Sequence, residues 1–273
     1  MPSVAENLEK WNATYDWPSA GDEWSNEFGG TKALWWFILY PRLNQFLPAN
    51  TILEIAPGYG RWTQFLKEKC EFLVGVDLAA NCVEQCKKRF ATEQHMQFYV
   101  NDGTSLAMVA DNSIDFAFSF DSLVHAEKDV IKEYLKQLAL KLRPGGMGFI
   151  HHSNLGSYES RVKIYRLWSS LPRWFRSYVL PERVLGRLMS TNTATWRAPS
   201  MTARLFREYC QQAGLACASQ ELVSWGRGSC LTDAFSVFVK PESRSAKETK
   251  VIHNSEFAKN GRHIASLSTL YCG

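Results

Sequence analysis

A glycine-rich turn at residues 53–60 (LEIAPGYG) is the first part of the sequence that could bind a ligand. Glycine lets the backbone approach a ligand closely, and a helix that begins after such a turn offers free N–H groups. Asp77 ends the next apolar segment, 19 residues after Gly58. A carboxylate in that place can accept both hydrogen bonds of a ribose diol. The turn and the acid together predict a site for a nucleotide-like ligand.

Histidines and a carboxylate follow two later apolar segments and could transfer protons. Asp121 and His125 come after the fourth segment, and His151 and His152 end the fifth. In an open parallel sheet, residues just past the strand ends face the ligand crevice. Imidazole titrates near neutral pH, and a hydroxyl group is a poor nucleophile until a base accepts its proton. We therefore predict general-base chemistry at this edge of the sheet.

The roles of the three histidines stay open at this point. Adjacent residues of a strand point to opposite faces, which places His151 with Phe149 and His152 with Ile150. Only one of the two can reach a substrate if the strand persists, and we favour His152 as the base. His125 is either a catalytic residue or a structural, cofactor-side one.

Asp121 also allows more than one interpretation. Its carboxylate could orient a histidine, accept the substrate proton itself or cap a helix. With His125 and either His151 or His152, it would also offer a mixed nitrogen and oxygen set to a divalent metal such as Mg²⁺. The sequence does not decide whether a metal is required.

The elements that position these residues are predicted by an alternation of apolar runs and helical patterns from Glu54 onward. This alternation is typical of βαβ units and an α/β fold with a mostly parallel sheet and helices on both faces. The predicted strands cover residues 51–56, 72–76, 96–100, 114–120, 147–151, 216–225 and 233–240. The clearest helices cover residues 82–90, 128–142 and 202–213. The core domain is therefore 51–240, with an N-terminal helical segment (1–50), a helical insertion (154–200) and a polar, loosely docked or disordered C-terminal tail (241–273).

Composition bounds the class of protein. The chain has 273 residues, 45% hydrophobic and 21% charged, which excludes global disorder and coiled coil. Its apolar stretches fall short of the roughly 20 residues of a membrane span, and we expect a cytoplasmic protein. Seven scattered cysteines do not form a disulfide framework. The net charge of +4 is too small by itself to indicate a nucleic-acid partner.

Two further features separate the two ligands that such a turn can bind, a nicotinamide dinucleotide and S-adenosylmethionine (SAM). Glu54 is a carboxylate inside an apolar strand, where a hydride-transfer protein normally has an apolar residue. Asn101-Asp102-Gly103 follows the third strand and supplies an acceptor for an adenine amino group. Over about residues 50–153 the chain resembles the class I SAM-dependent methyltransferases. The resemblance lies in the ExxPGxG turn, Asp77, Asp102, the Ser119-Phe120-Asp121 strand end and the Leu142–Gly146 turn (LRPGG).

The resemblance implies a Rossmann-like, seven-stranded methyltransferase fold and the cofactor SAM. It assigns the methionine portion to Gly58 and Gly60, the ribose to Asp77 and the adenine to Asp102, with Glu54 organising the turn. The full set of expected cofactor-binding residues is Glu54, Ala56, Gly58, Gly60, Asp77, Leu78, Asp102, Gly103 and Phe120. Ala56 departs from the family, which most often has glycine there, and we expect its methyl group to fit without a positive φ.

The insertion holds an unusual arginine-rich segment from Arg161 to Arg207. It contains nine arginines and one lysine against one acid, Glu182, interleaved with aromatic residues. We favour a lid in which arginines grip phosphate or carboxylate groups and aromatic rings cover a sugar. The alternatives are a solvated basic face, peripheral membrane contact through 161–189 and a disfavoured nucleic-acid surface. Of the N-terminal tryptophans, most are expected to pack, and Trp24 or residues 28–30 could reach the cofactor.

The predicted function is a SAM-dependent O-methyltransferase. Residues 119–125 and 149–154 are similar to those of bacterial methyltransferases that act on sugars. We therefore predict methylation of a hydroxyl group on a saccharide or glycosylated small molecule, with histidine and Asp121 as base and assistant. A phenolic or other natural-product acceptor, a non-catalytic SAM-binding protein and an oxidoreductase are the alternatives. The sequence leaves the oligomeric state open.

Overall fold

A computed structural model of the chain describes residues 3–172, 174, 196–225, 230–241 and 248–271. Its centre is an eight-stranded sheet with the strand order β3-β2-β1-β4-β5-β7-β6-β8. The strands are β1 (Ala49–Ile55), β2 (Cys70–Asp77), β3 (Met96–Val100), β4 (Ile114–Ser119), β5 (Leu142–Ser153), β6 (Ala216–Val223), β7 (Asp233–Val239) and β8 (Lys250–Asn254). The predicted α/β fold with a mostly parallel sheet is confirmed.

The strand directions place a ligand crevice at one edge of the sheet. Strands β1 to β5 run parallel, and β7 pairs antiparallel with both β5 and β6. The strand order reverses between β1 and β4, because the chain goes outward from β1 to β3 and then returns to the other side of β1. Ligands of open α/β sheets bind at the carboxyl ends of strands at such a reversal.

Helices cover both faces of the sheet because its central strands are apolar on both sides. The helices are α1 (Val4–Glu9), α2 (Thr31–Leu34), α3 (Tyr40–Leu43), α4 (Thr63–Leu66), α5 (Ala80–Arg89), α6 (Lys128–Lys141), α7 (Glu159–Ser169), α8 (Ala203–Gln212) and α9 (Phe257–Tyr271). On one face, Leu135 of α6 and Phe206 of α8 pack against Ile150. On the other, Trp35 and Phe257 join a cluster that contains Phe149. Neighbouring residues of β5 thus lie in different cores.

The C-terminal segment differs from the expected polar tail. Strand β8 pairs parallel with β6 and becomes the eighth strand of the sheet, and α9 follows it. Phe257 and Ala258 are buried at the start of α9, and a Cβ on Gly261 would lie 2.2 Å from the Phe28 ring. The tail prediction is wrong for residues 248–271, because β8 is a short, exposed edge strand whose place depends on its pairing with β6.

The N-terminal segment is helical, as predicted, but irregular. Helix α1 begins at a capping box between Ser3 and Glu6 and continues as a π-helical turn over Lys10–Thr14. A 3₁₀-helix covers Asp22–Phe28 and contacts α9. This segment therefore packs on the sheet rather than forming a separate unit.

Only part of the predicted lid insertion is described. Helix α7 exposes Ile164 and Leu167, which fits the membrane-contact hypothesis without testing it. Residues 173 and 175–195, which include Phe175, Tyr178 and Glu182, lie outside the described residues. No helix in the described ranges is long and apolar enough to cross a membrane.

Candidate active site

A cavity of about 610 Å³ lies at the carboxyl ends of β1, β2 and β4. Its wall is formed by Lys10, Trp11, Trp17, Glu23, Trp24, Glu27, Phe28, Ala56, Gly58, Asp77, Cys82, Asp121, Ser122, His125, Trp196, Arg197 and Trp225. A cavity of about 80 Å³ adjoins it, and Leu78 and Gly103 are among the residues that line this smaller space. The two share Trp11, Ala56, Asp77, Ser122 and His125. The cavities lie where the strand reversal predicts a ligand.

The glycine turn and Asp77 hold each other in place. The Asp77 carboxylate accepts hydrogen bonds from the Gly58 N–H at 3.0 Å and from the Ala79 N–H at 2.9 Å. Gly58 has a φ of +58°, and a Cβ there would lie 2.9 Å from the Trp17 ring. Burial raises the pKa of Asp77 to about 6. An acid thus stands buried on the cavity wall beside the turn, as the resemblance implies for the ribose site.

Ala56 differs from its prediction. Its φ is +59°, in the left-handed region, whereas a strand-end conformation without positive φ was expected. The Ala56 N–H donates to the Val76 carbonyl at 2.7 Å, and the Ser122 hydroxyl donates to the Ala56 carbonyl at 2.9 Å. These two bonds hold the residue in a conformation that costs an alanine about 1 kcal/mol.

Ala56→Gly is therefore expected to leave the free energy of unfolding unchanged or to raise it by up to about 1 kcal/mol, because the relief of strain outweighs the added freedom of the unfolded chain. Urea denaturation measures this difference. Ala139→Gly in α6 is the matched control and should lose about 1 kcal/mol or more. An equal loss for both variants would contradict the strain.

Four other predicted cofactor residues do not line either cavity. Glu54 and Phe120 are buried behind the wall, with the Phe120 ring packed against Trp62 and His151. Gly60 also lies behind the wall, facing the Phe90 ring. Asp102 is exposed, and its Oδ1 accepts bonds from the backbone of Thr104 and Ser105 in its own turn. The adenine contact of Asp102 stays a prediction.

Glu54 is buried behind the glycine turn and is hydrogen-bonded to the first residue of α4. Its Oε2 accepts a bond from the Thr63 hydroxyl at 2.6 Å, and its Oε1 has no partner among the described residues. Burial raises the pKa of Glu54 to about 8, so the folded protein holds this carboxyl protonated at neutral pH.

Because the unfolded chain releases the Glu54 proton near the ordinary glutamate pKa, the folded state loses stability as pH rises from about 4.5 to 8. Glu54→Gln removes this titration. We expect the variant to gain roughly 2 kcal/mol relative to the unchanged protein between pH 5 and 8, from the pKa difference reduced for structural relaxation. Thermal unfolding across this range measures it, and a constant difference would contradict the raised pKa.

Asp121 lines the cavity just past the end of β4 and has a constrained backbone conformation. Its φ is +62°, and its Oδ2 accepts a bond from the buried Arg61 guanidinium at 2.8 Å. Arg61 packs over the rings of Trp24 and Trp62. The carboxylate is therefore paired with Arg61, and its role toward a substrate stays a prediction.

His151 supports Asp121 from below and does not line the cavity. Its Nδ1 accepts a bond from the Asp121 N–H at 3.1 Å, and its Nε2 faces Asp233 Oδ2 at 3.3 Å. The ring is fully buried and stacks on Trp225. Asp233 in turn pairs with Arg197 through two bonds of 2.6 and 2.7 Å. His151 thus links two cavity residues, Asp121 and Arg197, and the prediction that it contacts substrate is wrong.

Two substitutions of His151 test its contacts at Nδ1 and at Nε2 one at a time. Asparagine places an acceptor near the Nδ1 position, and glutamine places a polar group near the Nε2 position. We expect His151→Asn to keep kcat within about threefold and His151→Gln to lower it about tenfold, because a misplaced Asp121 misorients the acceptor. Steady-state kinetics and thermal unfolding of both variants test this. The reverse order of kcat would contradict the role of Nδ1.

His152 is not a base for this site. Its ring stacks on Phe206 at 4.4 Å in the other core, and its Nε2 lies 2.8 Å from the Ser236 hydroxyl. Burial lowers the pKa of His152 to about 4. The predicted alternation of His151 and His152 between faces is confirmed, but the preference for His152 is wrong, because α8 covers its face.

His125 is the histidine on the cavity wall. Its Nδ1 contacts the Trp196 carbonyl, which can only accept, so Nδ1 carries the proton and Nε2 is left as an acceptor. Its ring lies 5.4 Å from the Trp11 ring. Burial lowers the pKa of His125 to about 4, which keeps the ring neutral at physiological pH.

In the described structure, Asp121, His125 and either His151 or His152 do not come together as a metal site. His151 uses both ring nitrogens in other bonds, and His152 faces the opposite core. Within the described part of the chain, no three His, Cys, Asp or Glu side chains converge as metal ligands.

Sequence reasoning missed most of the N-terminal wall. Trp24 and Phe28, which the sequence offers as candidates to reach the cofactor, do line the cavity. Trp11 and Trp17, for which the sequence predicts packing, line it as well. Trp17 does both, since it stacks on Tyr59 of the turn at 4.4 Å. The cluster of tryptophans before the glycine turn is the sequence signal that could have indicated this wall.

The wall fits SAM. Ala56 and Gly58 of the turn and the Asp77 carboxylate line the larger cavity, where the resemblance implies the methionine portion and the ribose. Leu78 and Gly103 line the adjoining smaller cavity, which leaves room for the adenine that the resemblance implies. Carboxylates and indole rings suit a cofactor that carries a sulfonium cation.

Comparisons with known proteins agree with this fit. A family model described as a methyltransferase domain matches residues 52–146. Two solved structures share the fold. One is a SAM-dependent methyltransferase from Methanosarcina mazei (16% identity, 75% of this chain and 99% of that chain, TM-score 0.52). The other is a protein from Pyrococcus horikoshii OT3 (18% identity, 74% and 87%, TM-score 0.51). A search of the curated proteins found no match.

At 16% and 18% identity, the two solved structures show that the fold is shared. The matched methyltransferase domain covers the strands and turns on which Ala56, Gly58 and Asp77 lie. The seven expected strands are present, with β8 added at the edge. The chain therefore contains a SAM-dependent methyltransferase domain over residues 52–146 on a Rossmann-like fold, and the cofactor of this domain is SAM.

Proposed function

We propose that the protein methylates a hydroxyl oxygen of a saccharide or glycosylated small molecule. The observation that carries this proposal is the neutral His125 on the cavity wall, with Nδ1 fixed by the Trp196 carbonyl and Nε2 left as an acceptor, on a wall that also holds Asp121. An oxygen acceptor needs such a base more than an amine or a thiol does.

SAM, when bound, supplies the methyl group. His125 accepts the hydroxyl proton at Nε2, and Asp121, held by Arg61 and His151, orients the hydroxyl. The lowered pKa of His125 keeps the ring neutral at physiological pH, so that Nε2 can accept a proton.

The indole rings favour a saccharide. In the described part of the chain, five tryptophans line the cavity: Trp11, Trp17, Trp24, Trp196 and Trp225. Flat aromatic rings cover the C–H faces of a sugar, while carboxylates on the same wall can accept bonds from its hydroxyl groups. A phenolic acceptor would use the rings but offer fewer hydroxyl donors to the remaining acceptor positions of these carboxylates.

The test is incubation of the purified protein with SAM and matched panels of saccharides, glycosides and phenols. We expect a mass gain of one methyl group on saccharide oxygen, with S-adenosylhomocysteine formed in equal amount. Turnover of phenols alone would support the second acceptor class. Cofactor binding without any turnover would favour a non-catalytic protein.

A further inference from the structure

A buried carboxylate, Asp233 at the start of β7, connects to the cavity wall without lining either cavity. It has no solvent exposure, and it is the partner of both the Arg197 guanidinium and the His151 ring. Burial alone would raise the pKa of Asp233, but the charge of Arg197 and the bonds from both partners lower it, so the carboxylate is ionised. A buried ion pair seldom stabilises a fold more than apolar side chains of the same size do. Stability alone therefore does not account for a charge in this place.

The first connection leads through Arg197 to His125. Two bonds of 2.6 and 2.7 Å join the Arg197 guanidinium to Asp233, a geometry that fixes the plane of the group as well as its distance. The peptide just before Arg197 carries the Trp196 carbonyl, which contacts His125 Nδ1. On the other side, the Ala198 N–H donates at 2.9 Å to the carbonyl of the residue that precedes His125. The ion pair therefore holds the segment whose carbonyl orients the His125 ring.

The second connection leads through His151 to Asp121. The Asp121 N–H donates to His151 Nδ1 at 3.1 Å, so this ring carries its proton on Nε2. His151 Nε2 lies 3.3 Å from Asp233 Oδ2, and the carboxylate thus favours the one tautomer that can accept the Asp121 N–H. The backbone of Asp121 depends on such support, because its φ of +62° is uncommon for a residue with a side chain.

The Trp225 ring packs against both connections. It stacks on His151 at 5.1 Å, and its centroid lies 5.8 Å from the Arg197 guanidinium carbon. The side chains of His151 and Asp233 have no solvent exposure. Hydrogen bonds and charges act more strongly in such surroundings than they do in water. A change of charge at Asp233 is therefore expected to reach the cavity wall.

We propose that Asp233 is a positioning residue that aligns His125 and Asp121 with each other. Through its pair with Arg197, it fixes the carbonyl that keeps the His125 proton on Nδ1 and leaves Nε2 as an acceptor. Through His151, it fixes the backbone of Asp121. The inference rests on the proposed function, because that function supplies the reaction in which the two aligned groups act together.

The first test compares the kinetics of Asp233→Asn with those of Glu221→Gln. The control breaks the same kind of pair, because Arg42 holds Glu221 of the neighbouring strand β6 through two bonds of 2.7 Å, and neither residue lines the cavity. We expect Asp233→Asn to lower kcat for saccharide methylation by about tenfold or more, since small displacements of reacting groups are costly. Its affinity for S-adenosylhomocysteine should stay within about twofold, because Asp77 and the glycine turn are unchanged.

The control should keep kcat within about twofold, although it loses an ion pair of the same geometry. An equal, small loss of kcat in both variants would overturn the inference and leave the proposed function intact, because it would show that the Asp233 pair only supports the fold.

The second test needs no acceptor. Nitrogen-15 NMR of labelled histidines reports which ring nitrogen carries the proton. We expect the proton on Nδ1 in His125 and on Nε2 in His151, both in the unchanged protein and in Glu221→Gln. In Asp233→Asn, both histidines should lose this fixed tautomer. If no saccharide is methylated, the proposed function fails and this measurement still decides the inference: loss of the tautomers supports it, and fixed tautomers in a folded Asp233→Asn overturn it.

A double variant keeps the inference testable if Asp233→Asn does not fold. The single variant leaves the buried Arg197 charge without its partner, which is strongly destabilising. Arg197→Gln combined with Asp233→Asn removes both charges. We expect this double variant to fold and to lose both the fixed tautomers and kcat, because glutamine is shorter than arginine and cannot pair with residue 233 unless the main chain at residue 197 moves. Full kcat with unchanged tautomers in the double variant would overturn the inference.

Discussion

Replacement of His125 by asparagine is expected to lower kcat by about 100-fold or more, which is the usual contribution of a positioned general base. Asparagine can still donate to the Trp196 carbonyl from a position close to Nδ1, so the wall keeps its hydrogen bond. What it lacks is the acceptor at Nε2. Single-turnover kinetics with saturating acceptor measures the chemical step directly.

The control for this variant is His253→Asn, an exposed histidine on β8 that is far from the cavity wall. It should retain full kcat. Affinity for S-adenosylhomocysteine should stay within about twofold in His125→Asn. A kcat within threefold of the unchanged protein would remove histidine from the mechanism, because the other two candidates, His151 and His152, do not line the cavity.

Replacement of Asp77 by alanine is expected to weaken S-adenosylhomocysteine binding by about 10-fold to 100-fold, since lost hydrogen bonds to a charged group cost about 1.5–3 kcal/mol. The variant loses the expected ribose acceptor and also frees the N–H groups of Gly58 and Ala79. Intrinsic fluorescence measures this affinity, because Trp11 and Trp17 lie on the wall that the ligand contacts.

Asp102→Asn is the matched comparison for Asp77. Its side chain is exposed and bonded within its own turn, and we expect less than a threefold loss of affinity from an amide in that place. Thermal unfolding of both variants separates a binding defect from a folding defect. Affinity within twofold in a folded Asp77→Ala would show that the ribose assignment is wrong.

The sheet and the cofactor turn could be predicted from sequence because their signals are local. Apolar runs such as residues 114–119 bury both faces of a strand, and the turn at Gly58 needs a backbone that few other residues adopt. Strand β8 has no such signal, since it is only five residues long and its apolar residues, Val251 and Ile252, are exposed rather than buried in a core. Its place depends on pairing with β6, which sequence spacing does not encode.

The choice among the histidines could not be predicted for a different reason. The alternation of His151 and His152 follows from strand geometry alone. Which face meets the substrate depends on what covers each one, and Phe206 of α8, more than 50 residues later, covers His152. The tryptophans of the cavity wall could not be predicted for the same reason, because Trp11 and Trp24 reach the strand ends only through the fold of the N-terminal segment.

The most direct test of the central claim, that the strand-end cavity binds the cofactor, is calorimetric titration of the purified protein with S-adenosylhomocysteine. We expect saturable binding of one molecule per chain with micromolar affinity, reduced by Gly58→Val, whose side chain would meet the Trp17 ring within the turn. Absence of binding to the unchanged protein, or equal affinity in a folded Gly58→Val variant, would contradict it.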